Sequence, residues 1–286
     1  MSRSEQTTKR YLIHALMIFL VLLSIAPIYV LLINATRSTE EINTGLSIIP
    51  SKYTLNNWRV LTNRSGEARW EYGLRIWIGF LNSGIIAIST TVLSVYFSAM
   101  TAYGLHVYKF RGRIVIWAII LIIMMLPGSL TVIGFYQFIN RIRLTDSFLP
   151  LIIPSIASAA TVLFIRQYMM SVLSLELIDA ARIDGAGEYR IFNTIIIPIV
   201  IPALAAQSIF TFVGSWNSFF MPFIILSTES KYTLPMFVNL LRTDLYRTEF
   251  GGVYLGMAIS IIPIIIFYSF MSRFIISGIT MGGIKE

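Results

Sequence analysis

Cysteine is absent from the 286 residues, which excludes disulfides, thiol nucleophiles and thiolate metal sites. Histidine is nearly absent. His14 and His106 stand far apart without companion ligands, so no metal site is expected. Charge is also scarce. Only 13% of residues are charged, about half the usual share of a soluble domain. No Asp or Glu falls within the long apolar runs. An intramembrane carboxylate would be costly and would point to proton or cation coupling, so a proton-driven transporter is disfavoured. No Ser/His/Asp, HExxH or paired-carboxylate constellation is present, which argues against a membrane hydrolase. No G-x-x-x-x-G-K-[ST] loop is present either, so the chain does not cradle ATP in that way.

What is present is apolar. Hydrophobic residues make up 56% of the chain, gathered into long uncharged runs. A bilayer crossing needs about 20 such residues. The runs lack the alternation of a barrel, so the expected fold is an all-α integral membrane protein. Six spans are predicted at about 12–33, 77–104, 114–135, 147–165, 195–225 and 252–276, within a single transmembrane domain over 1–286. The first run, Leu12 to Ile33, is too long for a signal h-region and lacks an A-x-A site, so it reads as a retained span. The fifth is too long for one straight crossing. It is expected to begin as an interfacial helix and to end in a re-entrant segment near Trp216 to Pro222.

The net charge of +8 reads as membrane topology, because no basic soluble module exists to hold nucleic acid. Lys and Arg divide evenly over the two sides. The short segments decide: Arg3, Lys9 and Arg10 at the start, and Lys109, Arg111 and Arg113 in one turn, favour a cytoplasmic N-terminus. The Ala35 to Ile76 loop, with Trp58, Trp70 and Tyr72, reads as a solvated loop with aromatic anchors.

One polar insert interrupts the C-terminal half, ELIDAARIDGAGEYRIFNTIIIPIVIP at Glu176 to Pro202, within a loop over 171–194. Ser174 is suited to cap a helix from Leu175 to about Asp184. Glu176 and Asp179 lie near its positive end and Arg182 near its negative end. Gly185 stands where a left-handed stop is wanted. Glu188 opens a second helix, which Pro198 and Pro202 would kink. Leu175, Ile178 and Arg182 share one side, and Ala180, Ala181 and Ala186 keep the element slim. The residues alone leave two readings, a helix that docks in a partner's groove or an ordinary interfacial helix.

This insert resembles the EAA-type loop of the membrane subunits of bacterial ABC importers. The match runs through Asp179-Ala180-Ala181, Ile183-Asp184-Gly185-Ala186, Phe192, Pro198 and Pro202. Asp179 departs from the pattern, which has Glu there. Leu81-Asn82-Ser83, Phe110-Arg111-Gly112-Arg113, Leu126-Pro127, Trp216-Asn217 and Gly278 to Lys285 look like the carbohydrate branch, specifically the smaller six-span permease of maltose-type importers.

The resemblance implies a mechanism. Glu176, Asp179, Ala180, Ala181, Asp184, Gly185 and Ala186 would form a cytoplasmic coupling helix seated in an ATPase subunit. Gly282, Gly283 and Lys285 would be a tail contact. ATP and Mg would be bound by two ATP-binding cassette subunits and not by this chain. A second homologous permease and an extracytoplasmic sugar-binding protein would complete the assembly in the bacterial cytoplasmic membrane, with both termini cytoplasmic. The Ser227–Glu249 loop, with Tyr232 and Pro235, would meet the binding protein. Asn82, Ser83, Gln137, Trp216 and Asn217 are candidates for the substrate path, although such polar groups also serve as glue between helices. The competing readings are another cargo, such as a polyamine, amino acid or anion, and an ion-coupled secondary transporter.

Overall fold

In a computed structural model of the chain, residues 3–62, 76–126, 132–242 and 249–282 are described, and among them helices and turns are found but no strand. The helices run α1 (Arg3–Asn34), α2 (Thr39–Asn43), α3 (Thr54–Thr62), α4 (Ile76–Val107), α5 (Arg113–Met125), α6 (Val132–Arg141), α7 (Leu149–Ile152), α8 (Ala159–Val172), α9 (Leu175–Ile183), α10 (Glu188–Ile191), α11 (Ile197–Trp216), α12 (Phe220–Ile225), α13 (Leu234–Arg242) and α14 (Phe250–Gly282). Two compact units result, one of Met1–Ile76 with Phe237–Ile262, the other of Trp77–Met236 with Pro263–Glu286.

Among the described residues five stretches are long and apolar enough to cross a membrane: Lys9–Asn34, Ile76–Val107, Leu149–Val172, Glu188–Trp216 and Phe250–Ile276. The predicted third span, 114–135, is divided. Its helix α5 has 13 residues and ends where Leu126 turns extended, and Pro127 lies outside the described residues. The predicted fourth span is broken rather than straight. Pro150 and Pro154 stand in a short helix and a 3-10 turn, after which Ser158 caps α8 by accepting the Thr161 N–H at 3.4 Å. The predicted fifth span begins upstream at Glu188 and stops at Asn217, with α12 as a separate short helix.

In the first unit the Ala35 to Ile76 segment is more than a solvated loop. Arg37 is buried. It donates to Asn34 Oδ1 at 3.1 Å, to the Gly45 carbonyl at 2.8 Å and to the Glu41 carbonyl. Ser38 and Glu41 close a capping box on α2. Asn57 Nδ2 bridges the Ala35 and Arg37 carbonyls, each at 2.9 Å. The start of α14 approaches α3 closely: a Cβ on Gly251 would lie 2.4 Å from Asn57 Oδ1. Trp58 is half-buried there, while Trp70 and Tyr72 fall outside the described residues.

The second unit carries the larger core. Ala99 and Ala102 of α4 admit the side chains of α8, α9 and α11, so that Ile165, Met169, Ile178, Ile191, Ile196 and Val200 are fully enclosed. Small residues permit this approach where lipid supplies no hydrophobic drive. This core holds the 171–194 loop against the membrane-spanning helices.

Candidate functional site

The 171–194 loop is built from its two ends. At the start of α9, Ser174 Oγ accepts the Leu177 N–H at 3.4 Å. Glu176 sits on the same free N–H groups, and its own backbone N–H and the Ser174 hydroxyl lower its carboxyl pKa. At the other end Gly185 has φ +80. Its N–H reaches the Arg182 carbonyl, and the Ala186 N–H reaches the Ala181 carbonyl, both at 3.0 Å. This pair of bonds is a Schellman stop, which needs a left-handed residue at Gly185. Glu188 then starts α10. A π-turn at Phe192–Ile196 follows, in which Ile197 N–H bonds Phe192 O. That shift opens room for the Pro198 ring, which would otherwise strike the carbonyl four residues back.

The two helical pieces are tied by Glu188. Arg182 Nε donates to Glu188 Oε1 at 2.7 Å, and Tyr103 and Tyr108 hydroxyls donate to Oε2 at 2.9 and 2.5 Å. Arg182 also donates to Asp179 Oδ1 at 3.0 Å and lies 5.8 Å over the Tyr108 ring. The Glu188 hydrogen bond comes first among the causes that raise the Arg182 guanidinium pKa still further. Burial, and donation to Glu188, push the Tyr108 phenol up. Sequence reading saw Glu188 only as a helix start and missed both tyrosines. Tyr103 and Tyr108 lie 85 and 80 residues upstream of Glu188, and no local pattern links them to the loop.

The orientation of α9 differs from the sequence expectation. Ile178 and Ala181 face the core, whereas Leu175 is exposed. Ala181 therefore packs inward and does not belong to the free face. Glu176, Asp179, Ala180, Asp184 and Gly185 are exposed, and Ala186 is half-buried. The exposed surface of the loop is not purely polar: Ile183 of α9 is 86% exposed and Tyr189 of α10 72% exposed. Gly282 ends α14, while Gly283 and Lys285 lie outside the described residues.

The substrate-path candidates separate. Asn82 is buried, and its amide nitrogen donates to the Ser230 and Tyr232 carbonyls at 3.0 and 2.9 Å. Trp216 is buried against Phe212, with ring centroids 5.8 Å apart. Both are packing residues. Ser83 accepts the Leu234 N–H at 2.9 Å and also lines a cavity of about 540 Å³. Gln137 and Asn217 are exposed and do not line it. At the same end of α11 a clamp escaped the sequence reading. Asp146 Oδ1 accepts the Ser227 and Thr228 N–H groups, each at 2.9 Å, and Oδ2 accepts Lys231 Nζ at 2.8 Å. Burial alone would raise the Asp146 carboxyl, but these donors outweigh it and hold it well below the usual range. No group of three or more potential metal ligands occurs among the described residues.

Residues 101–281 match the family described as binding-protein-dependent transport system inner membrane component. The chain is 35% identical over 270 residues to the arabinooligosaccharides transport system permease protein AraQ of Halalkalibacterium halodurans, covering 93% of each. It is 29% identical over 269 residues to the sn-glycerol-3-phosphate transport system permease protein UgpE of Yersinia pestis bv. Antiqua, covering 93% of this chain and 94% of that one. Its fold superposes with a TM-score of 0.78 and 25% identity on a chain of a bacterial ABC transporter involved in the import of the acidic polysaccharide alginate. That match covers 96% of this chain and 98% of the other. With its helical fold, apolar spans and capped polar loop, the chain belongs to the binding-protein-dependent transport system inner membrane components, the permeases of ABC importers.

Proposed function

We propose that this permease moves a sugar or oligosaccharide inward by ATP-driven alternating access, with α9 as the coupling helix. Two ATP-binding cassette subunits bind ATP and Mg and hydrolyse the ATP. A second homologous permease completes six-plus-six spans, and an extracytoplasmic binding protein delivers cargo. Both termini and the 171–194 loop are cytoplasmic. The relatives named for arabinooligosaccharides and alginate support the carbohydrate cargo.

The observation that carries the coupling role is the free face of α9. Ile183, 86% exposed, stands at the stopped end of α9, and Tyr189 of α10, 72% exposed, follows the stop in the same loop. Exposed apolar groups rimmed by Glu176, Asp179 and Asp184 fit a partner's groove. The Arg182–Glu188–Tyr103 linkage then ties a push on α9 to α4 and α11.

Ile183→Asp tests this reading. The side chain makes no core contact, so insertion and yield should match wild type. Co-purification with the ATPase subunits should fall by at least about tenfold, the scale of losing one buried apolar anchor. Full co-purification together with full uptake would remove α9 from the interface.

A further inference from the structure

We infer that the cavity at the Trp216 end of α11 receives a neutral polyhydroxylated stretch of the cargo and turns anionic cargo away. The inference rests on the sugar reading above and narrows it. Among the described residues sixteen line it, of which seven carry a hydroxyl and none carries a charge. Two of those hydroxyls, Thr90 and Thr233, have no hydrogen-bond partner although their residues are only 8% and 3% exposed. Buried hydroxyls are ordinarily paired. These two oxygens are closed to a water-sized probe, so cargo would meet the other five hydroxyls, in a space of about 540 Å³, within the range of small-molecule sites.

The wall is suited to a sugar in a second respect. Phe135 and Phe210 contribute ring surface beside the hydroxyls of Thr211 and Ser215. A pyranose or furanose presents an apolar C–H face and a rim of hydroxyls, which can both donate and accept. A threonine or serine hydroxyl can do either in return. A phosphate or carboxylate makes a different demand. It needs cationic or converging N–H donors to replace its hydration, and burial without them is costly. Among the described residues, neither Lys nor Arg lines this cavity. The chain is thereby set apart from relatives named for sn-glycerol 3-phosphate and for an acidic polysaccharide.

Gly214 provides the test. It lies in the wall, and an added Cβ there would meet nothing within 4 Å, so a larger side chain enters the cavity without straining the fold. The full transporter, with its partner permease, ATPase subunits and binding protein, is placed in vesicles. ATP-driven uptake of arabinotriose is compared with that of sn-glycerol 3-phosphate.

Wild type should take up the trisaccharide at least about tenfold faster than the phosphate ester, the ratio set by one unpaired buried polar group. Gly214→Leu should cut trisaccharide uptake about tenfold or more, with subunit association unchanged. Thr211→Val and Ser215→Ala, which remove a wall hydroxyl with little change of volume, should each cut it about threefold to tenfold. Wild-type uptake by Gly214→Leu and by both hydroxyl-deleted variants would overturn the cavity's role while leaving the sugar importer standing. Equal uptake of the two solutes by wild type would overturn the charge selection. Failure of wild type to move either would bring down the sugar reading, and this inference with it.

Discussion

Glu188 is half-exposed, yet four groups converge on it or on its partner: Tyr103, Tyr108, Arg182 and, through Arg182, Asp179. An isolated surface ion pair of this exposure would contribute little. The two phenolic donors change that, because they hold the carboxylate in place from the end of α4 and the turn after it. Asp179, the position where the chain departs from the EAA pattern, is explained by the same group. Its shorter side chain reaches Arg182 three residues on at 3.0 Å, within the chain itself. Glu188→Gln keeps the shape and removes the charge. The expected result is a loss of about 1 kcal/mol in a detergent melt, the low end for charged hydrogen bonds after allowing for solvent, with faster proteolysis confined to 171–194. A melt and a cleavage pattern equal to wild type would remove Glu188 as the anchor of the loop.

At the scale of the element, α9 is defined by its ends, and those ends were readable. Ser174 and Gly185 are local signals, since a cap and a left-handed stop depend on a few neighbouring residues. The facing of α9 was not readable, because Leu175 and Ile178 are equally apolar and only the packing of α4 and α8 selects Ile178. The same limit hid the Asp146 clamp and the folding of the segment after α1, both made of contacts distant in sequence. It also hid the packing contacts of two substrate-path candidates: the Asn82 amide nitrogen donates to neighbouring carbonyls and Trp216 lies against the Phe212 ring. Gly185 yields a graded prediction. No atom lies within 4 Å of an added Cβ, so substitution costs backbone conformation, about 1–2 kcal/mol for most residues. Asn tolerates the left-handed region better than Leu. Uptake should therefore rank wild type, then Gly185→Asn, then Gly185→Leu. Equal loss in both variants would mean that the glycine is needed for close contact with a partner and not for the stop.

For the whole molecule the decisive quantity is the number of crossings, and it turns on α5. Thirteen residues rise about 20 Å, short of the roughly 30 Å hydrocarbon layer. If the stretch from Arg113 crosses, the chain makes six crossings. The Lys109 turn and α9 then share the side of the N-terminus, and the Ser227–Lys231 turn lies opposite. If it does not cross, every later side is exchanged. The Lys109 turn then shares a side with Ser227–Lys231, and α9 faces away from a cytoplasmic ATPase. The coupling mechanism therefore requires α5 to cross, together with the residues that follow it. The absence of cysteine makes this measurable without removing any native thiol. Lys109→Cys and Ser230→Cys place one thiol each at exposed positions. In right-side-out vesicles a membrane-impermeant maleimide should label Ser230→Cys at once and Lys109→Cys only after permeabilisation. Labelling of both from the same side would leave five crossings and would refute the placement of α9 against the ATPase subunits.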